Sequence, residues 1–207
     1  MSSLLSGAFP EALSTPCESC LSTLPLDPSA LLARCESWLD AGLAAGASAS
    51  FIGRVRQDQR QAGDGTWQRL QALTLEHYPG MTERRLAELS RQALSRFGLL
   101  GVQVVHRVGR LVPGEPIVWV WAGAPHRAAA IAATDFLMDH LKSAVPLWKQ
   151  EDWGDTRQWV QAKPDDHERM RRWGVAGLAG DDGQGSPDAG WVPGASASLQ
   201  APSEDMR

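Results

Sequence analysis

Residues 124–151 read APHRAAAIAATDFLMDHLKSAVPLWKQE, and their pattern decides how the chain is built. Pro125-His126-Arg127 opens the run, small and apolar residues carry a helix over 126–144, and Pro146 breaks it. Residues 147–151 follow as a short strand. The run also holds Lys142 and Lys149, two of only three lysines in the chain; Lys163 is the third, against seventeen arginines. A chain that uses arginine for ordinary positive charge has a specific use for a primary amine. Its surroundings can drive an ammonium's pKa down until it gives and takes protons, which a guanidinium does not do. The run therefore reads as the working part of an enzyme that handles an anionic substrate.

Working outward, Asp27-Pro28 supplies an N-cap acid and a proline at the first helical position. Leu31, Leu32, Cys35, Trp38, Leu39 and Leu43 recur at helical spacing as far as Gly46. Residues 47–55 read as a strand that runs into a polar loop, 57–65. Residues 70–77 alternate as a second strand, Tyr78-Pro79-Gly80 turns, and 81–97 carries a helix with Leu86, Leu89, Ala93 and Leu94 inward. Strands at 102–108 and 117–121 flank a turn at Pro113-Gly114-Glu115. Past Pro146, 147–151 and 158–162 pair around a turn at 153–156, and 165–173 closes with a short helix. The order α-β-β-α-β-β-α-β-β-α does not alternate strictly. Its adjacent strand pairs predict an α+β class: a mixed or antiparallel sheet with packed helices, in a single domain over 27–173. Residues 1–26, interrupted by Ser14, Thr15, Pro16, Ser22, Thr23 and Pro25, read as a flexible leader. Residues 174–207, rich in Gly, Pro and Ser and acidic, read as a disordered tail.

Nine tryptophans against one tyrosine predict several large core anchors. The net charge of −4 comes entirely from residues 174–207, with five acids and one base, so the rest of the chain is balanced. Without a basic field, nucleic acid is not expected as a partner. No apolar run approaches the ~18 residues of a membrane span, the first residues show no basic stretch followed by an apolar one, so a signal peptide is not expected, and three cysteines fit a reducing cytoplasm. Cys17-x-x-Cys20 has metal or redox spacing, but no second pair or nearby histidine completes a zinc set.

Three groups of residues carry possible chemistry. His126-Arg127 sit in the first turn of a helix, where free N–H groups and the helix dipole favour an anion and basic side chains do not belong unless one is bound; a solvated turn is the plainer reading. Arg54 and Arg56 fall on one side of a strand, as a fork for phosphate or carboxylate or as a charged sheet edge. Met138 and Lys142 share a helix face at i,i+4, with Lys149 on the strand beyond. Surface charge near a helix C-terminus explains Lys142 easily and Lys149 less well. His106-Arg107 and Glu76-His77 lie on strands and read as structural.

Together, FIGRVR (51–56), LTLEHYPGMTE (73–83), VVHRVGRLVPGE (104–115), the 124–151 run and W-V-x-A-(K/R) at 159–163 resemble the large, catalytic subunit of molybdopterin synthase. The similarity spans residues 28–173 and neither end of the chain. It implies an α/β-hammerhead-like α+β domain and an enzyme, a sulfurtransferase of molybdenum cofactor biosynthesis. Sulfur would come from the thiocarboxylated C-terminal Gly-Gly of a small ubiquitin-like subunit and pass to cyclic pyranopterin monophosphate, forming the molybdopterin dithiolene. No metal or prosthetic cofactor is implied. Two large subunits would form a homodimer inside a heterotetramer. The resemblance further implies substrate binding by Arg54, Val55, Arg56, His126, Arg127, Lys142, Lys149, Gln150 and Glu151, with Lys142 and Lys149 catalytic. Phe51 and Met138 would shape the channel for the donor tail, and Lys163 stands where the family often has arginine. The alternative is a non-catalytic scaffold of the same fold that docks the ubiquitin-like partner. That reading needs the docking groove and not the substrate cations.

Overall fold

The computed structural model describes residues 16–40, 44–160 and 172–174. In chain order their elements are β1 (Cys17–Ser22), α1 (Pro28–Asp40), β2 (Ala47–Arg54), β3 (Gln59–Gln61), β4 (Trp67–Arg69), β5 (Ala72–His77), α2 (Met81–Phe97), β6 (Gly101–Arg107), β7 (Gly109–Leu111), β8 (Pro116–Ala124), α3 (Arg127–Ser143), β9 (Leu147–Asp152) and β10 (Arg157–Val160). The class is α+β, as expected, but the strands divide into two four-stranded sheets and a hairpin. One sheet has the order β1-β6-β8-β2 and the other β10-β9-β5-β7, with β3-β4 apart.

The first sheet forms the core because its central strands are buried almost from end to end. Every residue of β6 is buried, as are Val118 to Ala124 of β8, so both faces of the sheet need cover. On one face Val105 and Trp119 are register partners, and Cys35 of α1 packs with them and with Trp121. Trp38 meets Trp121 edge to face at 5.6 Å. Burying side chains of this size stabilises by about 1.5–3 kcal/mol each. The indole N–H of Trp119 donates to Gln103 Oε1 at 2.8 Å, so the polar end of the anchor is satisfied. Helices α2 and α3 pack on β6, β8 and β2. The run of alanines in α3 lets it lie close, with Ala130 and Ala133 buried and Phe136, Leu137 and Leu141 filling the seam. Phe97 of α2 meets Phe136 at 5.4 Å. No helix among the described residues is long and apolar enough to cross a membrane.

Two sequence expectations need correction. Within the presumed leader, residues 17–22 form β1, paired in parallel with β6 from Cys17↔Val102 to Ser22↔Arg107. This strand has little apolar alternation of its own. Its order comes from the β6 backbone and from Glu18, which accepts hydrogen bonds from Arg34 and Gln103. Neighbouring side chains of a strand point to opposite faces, so the three-residue step from Cys17 to Cys20 separates them and removes the metal or redox reading. Burial pushes the Cys20 thiol up to about 11 and the Cys35 thiol up to about 12, the opposite of activation. The supposed polar loop at 57–65 holds β3, which pairs with β4 across a turn where Gly65 has φ of 85° and Asp64 accepts from Thr66 N at 2.9 Å. Polar QRQ and WQR carry no apolar alternation to announce a hairpin. The expected helix 165–173 and the tail 174–207 lie outside the described residues except for 172–174.

Candidate functional site

A cavity of about 410 Å³ opens between β2 and α3. Ile131, Asp135, Met138 and Lys142 stand at i, i+4, i+7 and i+11, which is one face of α3, and Thr134 and Asp139 flank them on the same wall. Ala49, Ser50 and Phe51 of β2 form the opposite wall. β2 is the edge strand of its sheet, so the cavity is open along that side. Phe51 is 40% and Ile131 62% exposed, apolar surface facing a space rather than packed. Phe51, Met138 and Lys142, expected in and at the end of a donor channel, thus line one cavity.

The Arg54-Val55-Arg56 segment leaves the end of β2 at a register shift between Gly53 and Arg54. Gly53 is needed there, because a Cβ would come within 2.7 Å of Val118 Cγ1. Val55 is buried with Leu70, Leu75, Leu111 and Trp153, which turns its two neighbours outward. The arginines do not form the expected fork. Arg54 Nη1 donates to the Gly114 carbonyl at 3.1 Å, and Arg56 Nη2 pairs with Asp58 at 2.9 Å. Arg56 is 73% exposed, so that pair holds it weakly. Arg107 is only 4% exposed, 4.0 Å from Glu115, and among the described residues its Nε and Nη1 have no hydrogen-bond partner.

Lys149 lies on β9 opposite Leu75 of β5 and Val160 of β10, with its side chain exposed. It stands close enough to His106 for its charge to act on that ring. Burial first, and the Lys149 charge in addition, lower the His106 pKa to about 4, against the opposing hydrogen bond to the Arg107 carbonyl at 2.8 Å. Unfolded, this ring takes a proton near its ordinary value of 6.5. Stability from the neutral ring is therefore fully present above about pH 6.5 and lost as pH falls toward 4. The loss is on the order of 3 kcal/mol. Urea titrations from pH 7 to 4 are expected to show it, and His106→Gln to flatten that part of the profile while His140, also lowered by burial, keeps its own contribution. Equal slopes in the two proteins contradict this assignment. Gln150 alternates to the other face of β9. Glu151 accepts from the Trp153 indole and from Gln158, both at 3.1 Å, and so fixes the β9–β10 turn.

His126 is the N-cap of α3, in extended conformation and with no side-chain capping bond; Arg127 follows as the first helical residue, and both are exposed. They are not near Lys142 or the Arg54–Arg56 segment of the same chain. Arg127 and Lys142 are fifteen residues apart, ~22 Å along the axis. The β2–β8 register sets Ala124 against Ala47 and Pro116 against Arg54, so His126-Arg127 and the Arg54–Arg56 segment lie at opposite ends of the strand pair. Lys163 lies outside the described residues. Among the described residues no group of three or more His, Cys, Asp or Glu could hold a metal ion.

Comparison with known proteins decides which family this arrangement belongs to. The model of the family described as "MoaE protein" matches residues 21–144, more than half of the chain. The chain belongs to the MoaE family. The molybdopterin synthase catalytic subunit of Salmonella typhimurium is 45% identical over 137 residues, 66% of this chain and 87% of that protein. The subunit of Escherichia coli K12 is 44% identical over 128 residues, 62% and 81%. The solved MoaE protein of Burkholderia ambifaria superposes with a TM-score of 0.62 at 37% identity, over 77% of this chain and 99% of its own. A molybdopterin synthase structure from Staphylococcus aureus gives 0.56 at 26% identity, over 68% and 95%. The MoaE match takes in Phe51, the 54–56 segment, His126, Arg127, Met138 and Lys142, and stops short of Lys149.

Sequence reasoning missed several residues that the structure brings to this cavity. Asp135 and Asp139 line the cavity, and Arg172 bonds to both. The spacing 131, 135, 138, 142 was visible as a stripe, but nothing in it told a cavity wall from a solvated face.

Proposed function

We propose that the chain is the catalytic subunit of a molybdopterin synthase. It takes sulfur from the thiocarboxylate at the C-terminal Gly-Gly of a small ubiquitin-like carrier and places it on cyclic pyranopterin monophosphate, building the dithiolene of molybdopterin. The observation that carries this reading is the cavity walled by Phe51 and Met138 with Lys142 on its face. A narrow, partly apolar slot fits an extended glycine tail, and an ammonium on its wall fits the tail's terminal anion. Lys142 holds the thiocarboxylate there. Lys149 moves the proton during sulfur addition and loss of the leaving group. Arg54, Arg56 and the backbone at Val55 meet the substrate phosphate, with Gln150 and Glu151 framing the same edge and Lys163 a weaker member.

His126 and Arg127 join this set from a second copy of the chain. One copy separates them from Lys142 by ~22 Å, further than one small substrate reaches, so the working unit is a homodimer with a carrier subunit on each chain. Three free cysteines agree with a reducing, cytoplasmic setting. Phe51→Asp is expected to weaken binding of a Gly-Gly-ended carrier at least about tenfold, by placing a carboxylate against the tail's own. Calorimetry with the full carrier and with the carrier lacking its last two glycines checks it. The substitution should matter only for the full carrier, and an equal effect on both would place the tail elsewhere.

A further inference from the structure

The wall of the cavity has the wrong charge for the ligand proposed for it. Its ionisable residues are Asp135, Asp139 and Lys142, two acids and one base, so an anionic tail entering it meets a net negative wall. The correction comes from outside the cavity. Arg172 donates from Nη2 to Asp135 at 2.6 Å, and from Nε at 3.0 Å and Nη2 at 2.7 Å to Asp139. Trp173 Nε1 adds a third donor to the same Asp139 oxygen at 2.8 Å. Asp139 is nearly buried, at 6% side-chain exposure, and Asp135 is 53% exposed.

The anchorage of Arg172 is not that of a casual surface pair. The Trp173 ring packs edge to face on Phe97 at 6.0 Å and on Phe136 at 5.5 Å. Its carbonyl accepts from Arg96 Nη2 at 2.6 Å, and the Arg172 guanidinium lies 4.8 Å over the indole. Two helices thus hold the dipeptide in place, and the dipeptide holds one guanidinium between two carboxylates.

We infer that Arg172 is a specificity-determining residue: its charge, shared between Asp135 and Asp139, takes the wall from net −1 to neutral and so lets the cavity accept a carbon chain ending in an anion. This rests on the reading of the cavity as the donor-tail site. The residue does not touch the tail; it acts through the two aspartates, so that the tail's anion meets a wall without net negative charge. A unit charge ~8 Å from the tail's terminus at an effective dielectric of ~40 changes affinity roughly fivefold to tenfold.

The test uses the full chain and a Gly-Gly-ended carrier in two forms, one ending in the free carboxylate and one in the neutral amide, in a low-salt buffer. Arg172→Gln is expected to weaken the carboxylate form about fivefold to tenfold and leave the amide form within about twofold, the difference shrinking as salt is raised. Arg172→Lys restores most of the carboxylate affinity, because it returns the charge without the fork. Equal weakening of both forms, or no rescue by lysine, would mean that Arg172 only braces α3, and the inference fails. No change with either form overturns it as well. If the unmodified chain binds neither form, it is the donor-tail reading of the cavity that has failed, and this inference goes with it.

Discussion

Lys149→Ala is expected to lower the rate of sulfur transfer at least about a hundredfold while leaving the fold and carrier binding intact. The position supports both halves of that statement. Lys149 is exposed on β9, so its loss opens no cavity. It belongs to β9 and not to the β2 and α3 residues that line the tail cavity, so its loss removes no cavity-wall contact with the tail. The chemistry needs a group that gives and takes a proton as one bond to sulfur forms and a leaving group departs. The ammonium stands close enough to the buried, neutral His106 for its charge to act on that ring, and a primary amine, unlike a guanidinium, can be brought to give up its proton. Lys149→Arg separates the two roles open to the residue. If proton transfer is its function, arginine is nearly as inactive as alanine, because a guanidinium holds its proton. If only positive charge is needed, arginine restores most of the rate. Single-turnover sulfur transfer, with carrier affinity measured alongside, reads both; a folded Lys149→Ala protein with full activity would remove the assignment.

The second large effect is a gain. Arg127→Ala and Lys149→Ala are each expected to be nearly inactive, and mixing them in equal amounts with subunit exchange should return about a quarter of normal activity. Half of the dimers formed at random are mixed, and each mixed dimer rebuilds one of its two sites from the intact Lys149 of one chain and the intact Arg127 of the other. The reason lies in the geometry of β2, β8 and α3, which sends His126-Arg127 to one end of the strand pair and Arg54–Arg56 to the other. Lys142 and Lys149 combined in the same mixing experiment give no recovery if both serve from one chain. Absence of recovery with Arg127 and Lys149 would place both in one chain's site, against the ~22 Å that part Arg127 from Lys142.

The fold was legible where apolar periodicity was strong. Helices α2 and α3 and strands β5, β6 and β8 stand within a few residues of their expected bounds because each buries a whole face or both faces. The two misses share a cause. β1 and the β3–β4 hairpin are polar segments ordered by partners distant in sequence: β1 by the β6 backbone, and the hairpin by contacts such as Arg60 Nη1 with Gln158 at 3.0 Å and its guanidinium 4.5 Å over Trp153. Local pattern holds no record of such partners. Part of the cavity wall was legible by a different route. The scarcity of lysine drew attention to Lys142 and Lys149, and helical spacing put Met138 beside Lys142. Pairings across the fold were not legible. Arg54 and Arg56 share a side in sequence, but bonds to Gly114 and Asp58 part them. Asp139 and Arg172, thirty-three positions apart, meet only because Trp173 docks on α2 and α3.

The measurement that bears most directly on the whole account is reconstitution. The purified chain is mixed with a thiocarboxylated, Gly-Gly-ended carrier and cyclic pyranopterin monophosphate, and dithiolene is read as its fluorescent oxidised derivative. Product that requires both the chain and the thiocarboxylate, and that disappears with Lys149→Ala, is the expected result. Firm binding of the carrier without any product would contradict it and leave the chain a docking scaffold whose lysines serve no transfer.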